Sequence, residues 1–175
     1  MSEEVKQSWS MADISAKAVT KRMAIAGGRI IIGAKAMKML QAGTLPKGDP
    51  RAMAEVVGIQ AAKLTPALLP LCHPIALNRV MLRSILRPEQ QAIDIYCMAE
   101  IAAKTGVEME ALTGVQVALL TVWDLIKPVE PALEITDVRL LYKSGGKSGV
   151  WENPQGLPTE IDKWVKELDA GSSPA

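Results

Sequence analysis

Between Val107 and Ile126 the chain is apolar almost all round at helical spacing, with Gly106 before it and Pro128 behind it. A helix of that composition has no face to give to water, so other elements or another subunit must cover it. Its longest uncharged run, Ala111 to Trp123, is too short to cross a bilayer and reads as the buried part of the helix. No membrane partner is expected. The charges are Glu108, Glu110 and Asp124, with Lys127 at the end, and charges on such a helix are costly unless paired or functional. Asp124 and Lys127, three apart, share a face, and an ordinary ion pair at a helix end explains them on their own. Glu110 lies on nearly the same face as Asp124, but at 1.5 Å per residue the two are about 21 Å apart along the axis. One subunit cannot bring both to one small molecule, whereas two subunits with these helices antiparallel can. The spacing therefore raises a site shared between subunits.

The flanking segments supply the cover. Val19 to Ile32 is rich in Val, Ile and small residues and is interrupted by Gly27-Gly28, which reads as two short strands or one bulged strand. Ala34 to Gln41 has helical composition and stops at Gly43. Asp49-Pro50 opens a second helix, with an N-cap followed by proline, that runs to about Leu64. Pro66 to Pro74 reads as a loop. Ala76–Leu86 and Ala92–Ala102 form an antiparallel hairpin in sequence pattern, and Ile135–Tyr142 a final strand. In the tail, Ile161, Trp164, Val165 and Leu168 make one face of a short helix, with Thr159 and Asp162 as a capping-box-like start. The expected fold class is α+β: one antiparallel sheet covered by helices, in a single domain. Residues 1–10 are expected to be loose, 11–149 to form the working domain, and 150–175 an extension with a short helix and a disordered tail.

The balance of Lys plus Arg (20) against Asp plus Glu (19) leaves a formal charge of +1, which gives no general attraction for nucleic acid. Anions must be held by local clusters. Cys72 and Cys97 make no disulfide framework, and the acidic, polar start Met1-Ser2-Glu3-Glu4 lacks a secretory pattern, so a cytoplasmic address is expected.

Local clusters do occur. Leu71-Cys72-His73-Pro74 carries the single histidine of the chain. A packed loop histidine explains it as readily as a functional one, and no zinc spacing surrounds it, so no metal site is expected. Lys143-Ser144-Gly145-Gly146-Lys147-Ser148-Gly149 is not a phosphate-binding Walker loop, because Leu141 stands where its first glycine belongs and no helical pattern follows. A solvated turn is the commoner meaning of such strings, but glycines that turn amides outward beside two lysines favour an anion. Lys47 precedes the helix capped by Asp49, where amides and dipole also favour anions. A regulatory nucleotide- or amino-acid-binding module without catalysis would also need such cations, but not the helical Asp124 beside Lys127.

In combination and in order, the segments Lys47-Gly48-Asp49, Gly58 to Lys63 (GIQAAK), Pro70 to Pro74 (PLCHP), Lys104 to Thr113 (KTGVEMEALT) and Lys143 to Gly149 closely resemble the cyclic pyranopterin monophosphate synthase family, the protein C family of molybdenum cofactor biosynthesis. The resemblance runs from about Met11 to Gly149. It implies a ferredoxin-like α+β fold and a homohexamer of three dimers with active sites at dimer interfaces. It also implies conversion of a cyclised dihydro-GTP into cyclic pyranopterin monophosphate with loss of pyrophosphate, a phosphorus–oxygen lyase reaction. By the same resemblance Asp124, Lys127 and Lys47 are catalytic, and Leu71, Cys72, His73, Met109, Glu110, Lys143 and Lys147 bind substrate. A lysine shielded from water among other cations can serve as a base, which points to Lys127 or Lys47. The reaction has no redox step, so no resident cofactor is implied, although magnesium can accompany the phosphates. Pro128 to Thr136 departs from the family pattern, and Arg79 stands where lysine is common.

Overall fold

The computed structural model describes residues 9–169. The expectations for residues 1–8 and 170–175 lie outside the described residues. Five strands, β1 (Thr20–Ile31), β2 (Arg79–Arg87), β3 (Ala92–Ala103), β4 (Glu134–Ser144) and β5 (Trp151–Glu152), form one sheet in the order β2-β3-β1-β4-β5. Every neighbouring pair is antiparallel. The helices are α1 (Gly33–Gln41), α2 (Pro50–Lys63), the short α3 (Thr65–Leu68), α4 (Glu108–Ile126) and α5 (Thr159–Asp169). The α+β class and the ferredoxin-like order of the first four strands follow.

Each element has a local cause. Asp49 caps α2 by accepting from the Arg51 amide at 2.9 Å, with Pro50 in the first turn. Val19–Ile32 resolves into one strand, and the bulged alternative is the right one. Its register against β4 shifts between Ile25 and Ala26 and again between Gly27 and Arg29. The hairpin of β2 and β3 pairs Arg79 with Glu100 and turns through a short 3-10 segment, Pro88–Gln90, closed by Gln91 in the left-handed region. Three details differ from expectation. The Pro66–Pro74 loop begins inside α3, because Thr65 and Pro66 start a helical turn that Leu69 ends. The strand at 134–144 is not the last, since Trp151–Glu152 adds a short edge to it. The capping box of α5 also takes another form: the Pro158 carbonyl accepts from the Ile161 and Asp162 amides, and Asp162 pairs with Lys166 at 2.7 Å.

Side chains alternate across a strand, so the sheet buries two sets of residues. Ala24, Ala26 and Ile30 of β1, with Ile93, Ile95, Cys97 and Ala99 of β3, meet α4 on one face. Met23, Ile25, Tyr96, Met98 and Leu141 lie on the other, under Ile161, Trp164 and Val165 of α5. Trp164 is fully buried there, and the Arg83 guanidinium stands 4.6 Å from its ring centre.

Helix α4 is long and apolar enough to cross a membrane by length and composition, but one of its faces packs on the sheet and on α2. That approach is close. A Cβ on Gly58 would come within 2.9 Å of the Gly114 carbonyl oxygen, and one on Gly114 within 2.7 Å of Cys97 Sγ. The segment after α4 that departs from the family pattern returns Val129 and Leu133 to the core. It therefore leaves the end of α4 anchored.

Candidate active site

The α4 helix carries candidate functional side chains at both ends. At its C-terminal end Asp124 projects into solvent with Lys127 one turn on. Lys127 Nζ lies 2.7 Å from Asp124 Oδ1. The loop before α2 delivers Lys47, whose Nζ donates to the Asp124 backbone carbonyl at 3.2 Å and lies 3.5 Å from Oδ2. These two ammonium groups hold the Asp124 carboxyl below its ordinary range, the Lys127 hydrogen bond contributing most. The three residues named as catalytic thus meet in one cluster, more than half of Asp124 being exposed. Lys127 and Lys47 are not shielded from water in this chain.

The other cluster lies at the N-terminal end of α4. A cavity of about 220 Å³ is walled by Leu71, Cys72 and His73 of the loop after α3, by Thr105, Gly106 and Glu110 around the helix start, and by Ala12. Glu110 is only 3% exposed. Burial raises its pKa, and the negative charge of Glu108 adds to the effect. Burial likewise raises the Cys72 thiol, with Glu110 contributing. Cys97 is a different case: sealed under α4, its thiol is pushed up to about 12 and serves packing. Met109, between the two glutamates, is largely exposed and lies outside the cavity wall.

Gly106 is also part of a second, smaller cavity of about 60 Å³, lined by Glu108, Arg22, Lys143 and the glycine-rich loop with Lys147. Lys143 Nζ pairs with Glu108 Oε1 at 3.1 Å. The loop needs its glycines. Gly145 has φ +92 and a Cβ there would run into the Lys21 carbonyl, while a Cβ on Gly146 would sit 2.6 Å from Arg22 Nη1. Two side chains of this site escaped sequence reasoning in their roles. Arg22 sits in a strand and only the fold brings it under the glycine loop. Glu108 was visible as a helix charge, but its partner Lys143 is 35 residues away.

The seven substrate-binding candidates and the three catalytic ones therefore fall into two groups at opposite ends of one helix, about 20 Å apart by helix rise. Among the described residues, no group of three or more His, Cys, Asp or Glu could hold a metal ion. What remains is a set of cations beside a buried carboxyl at one end, and a carboxylate between two ammonium groups at the other. The first arrangement suits phosphates, the second proton transfer.

Comparison with known proteins places the chain in a family. Residues 11–146 match the MoaC family. A protein of Chloroflexus aurantiacus named cyclic pyranopterin monophosphate synthase is 42% identical over 145 residues, which cover 83% of this chain and 89% of that protein. Proteins of the same name from Rhodospirillum rubrum and Streptomyces avermitilis are 45% and 46% identical, each over 141 residues and 81% of this chain, covering 85% and 82% of their own lengths. The chain belongs to the MoaC family.

Proposed function

We propose that this protein is a cyclic pyranopterin monophosphate synthase, the lyase that turns a cyclised dihydro-GTP into cyclic pyranopterin monophosphate and pyrophosphate in molybdenum cofactor biosynthesis. Family membership and the names of relatives above 40% identity support the activity. The single observation that carries the site is the splitting of the family residues between the two ends of α4. In one chain the two groups cannot meet on one substrate. Two chains with antiparallel α4 helices place Asp124, Lys127 and Lys47 of one against His73, Glu110, Lys143 and Lys147 of the other.

The helix layer suits such a pairing. Met53 and Val56 of α2 and Leu120 of α4 are exposed apolar side chains on it, and covering them favours association. We place the active sites in these dimer interfaces, three dimers making a hexamer. The protein acts in the cytoplasm, in keeping with two unpaired cysteines.

In the joined site Lys143, Lys147 and the turned amides of Gly145 and Gly146 bind the triphosphate, with Leu71, Cys72 and Met109 against the rest of the substrate. Formation of the cyclic phosphate makes one phosphorus–oxygen bond and breaks the one to pyrophosphate, whose growing charge these cations stabilise. Opening of the imidazole ring and closure of the pterin need proton transfers. Asp124, kept ionised by its two lysines, accepts, and Lys127 or Lys47 returns the proton. No oxidation occurs, so no redox cofactor is required; magnesium can travel with the substrate phosphates.

The test is pyrophosphate release from the cyclised dihydro-GTP. Wild-type protein is expected to release it, and Asp124→Asn to lose at least about a hundredfold in rate, as removal of a general acid or base does. Undiminished release by Asp124→Asn would remove Asp124 from the chemistry.

A further inference from the structure

Residues 9–19 contain neither helix nor strand, yet they reach the cavity at the N-terminal end of α4. Two bonds from the body of the protein hold this segment in place. His73 Nε2 lies 2.8 Å from the Ala12 carbonyl oxygen, and Lys104 Nζ donates to the Ser15 carbonyl at 2.7 Å. A third bond, from the Ser15 amide to Asp13 Oδ1 at 2.8 Å, folds the segment between these anchors.

The partner of His73 fixes its chemistry. A backbone carbonyl has no proton to give, so the bond exists only when Nε2 carries the hydrogen. Nδ1 is then the ring nitrogen left for a ligand in the cavity that His73 shares with Cys72 and Glu110.

We propose that the Trp9–Lys17 segment is a positioning strap for His73: the Ala12 carbonyl holds Nε2–H, and the ring meets the substrate through Nδ1. The second half rests on the synthase reading of the site; the first does not. Nδ1 of the neutral ring is a hydrogen-bond acceptor, so His73 serves the substrate's N–H or O–H groups while the phosphates fall to the lysines of the glycine loop. Ala12 acts through His73 and is a positioning residue. The cavity volume of about 220 Å³ is below the range of roughly 300–1,000 Å³ usual for small-molecule sites, so one chain supplies only part of the pocket.

His73 is the single histidine of the chain. Full-length protein labelled with ring-¹⁵N histidine therefore gives one imidazole to observe. Without substrate, the expected spectrum has an exchange-protected proton on Nε2 and an unprotonated Nδ1. Adding the cyclised dihydro-GTP should shift Nδ1 and leave the Nε2 proton in place. The combined variant Asp13→Ala, Lys104→Met, made in the full chain, should lose the protection and raise KM for pyrophosphate release about tenfold, the size of one lost positioning bond. Lys104→Arg keeps a donor for Ser15 and should keep both properties.

An Nε2 without a proton, or protection unchanged in the combined variant, would overturn the strap. An Nε2 proton displaced by substrate, or an Nδ1 signal that substrate does not move, would overturn the assignment of Nδ1. The substrate-free spectrum does not depend on turnover. Failure to release pyrophosphate with that spectrum as expected would count against the synthase reading and leave the strap standing.

Discussion

Asp94 and Glu110 are both buried carboxyl groups, and their surroundings push them in opposite directions. Burial disfavours the Asp94 carboxylate, but bonds from Arg29 Nε at 2.6 Å and Arg87 Nε at 2.7 Å overcome it and hold the pKa below the ordinary 3.8. Its stabilising contribution is present above the ordinary carboxylate range and lost as pH falls through the lowered value. Asp94→Asn should cost about 2 kcal/mol near neutrality, the scale of hydrogen bonds to a charged group, and progressively less in acid. Glu110 has no such cations, and burial raises its pKa above 4.5. Its contribution is complete below the ordinary value and lost as pH rises through the raised one. Glu110→Gln should therefore gain stability relative to wild type as pH rises from acid to neutral, while activity falls. Urea unfolding of the three proteins across that range measures both slopes; parallel curves would contradict the assignment. Neither environment is written near these residues in sequence, because Arg29 lies 65 residues from Asp94 and the cover over Glu110 comes from the loop holding His73.

Among the elements, α5 was legible as a helix but not as a layer. The stripe Ile161, Trp164, Val165 and Leu168 announces a buried face, and the structure lays it on the sheet face opposite α4. The ion pair between Arg87 and Glu160 at 2.8 Å fastens its start. Trp164→Ala empties a fully buried site and should cost about 3–5 kcal/mol, read as a lowered urea midpoint. A change below about 1 kcal/mol would mean that α5 is not packed on the sheet in solution. The glycine loop teaches the complementary lesson. Its glycines and lysines suggested an anion site, yet Gly145 is required chiefly by the neighbouring β1 backbone. Gly145→Ala should displace the loop and weaken pyrophosphate release by raising KM, with little change in the unfolding midpoint, since the loop contributes nothing to either core cluster.

At the scale of the whole molecule the arrangement around α4 makes a strong demand. If each site combines Asp124 of one subunit with Glu110 of another, then Asp124→Asn and Glu110→Gln proteins, each inactive alone, should complement. After mixing and reassembly, half of the dimers are hybrids with one intact site of two, and about a quarter of wild-type activity should return. No recovery in demonstrated hybrids would mean that each site draws Asp124 and Glu110 from the same subunit. Leu120→Glu, on the exposed face of α4, should weaken assembly and reduce activity together, as sedimentation and turnover at matched concentrations would show.

The sequence by itself determined the four longer helices, the β2–β3 hairpin, the strand at β4, the fold class and the motifs of the family, because periodicity, caps and turn residues act over a few positions. It also placed Glu110 and Asp124 at opposite ends of one helix, since helical rise is fixed. Tertiary structure alone decided that β1 is a single bulged strand, that Arg22 lies beneath the glycine loop, that Lys143 pairs with Glu108, and that the Ala12 carbonyl holds His73. Those contacts join segments 35 to 123 residues apart, from Lys143 with Glu108 to Arg22 with the turn at Gly145. Their geometry depends on strand order and helix packing, which no local pattern of residues encodes.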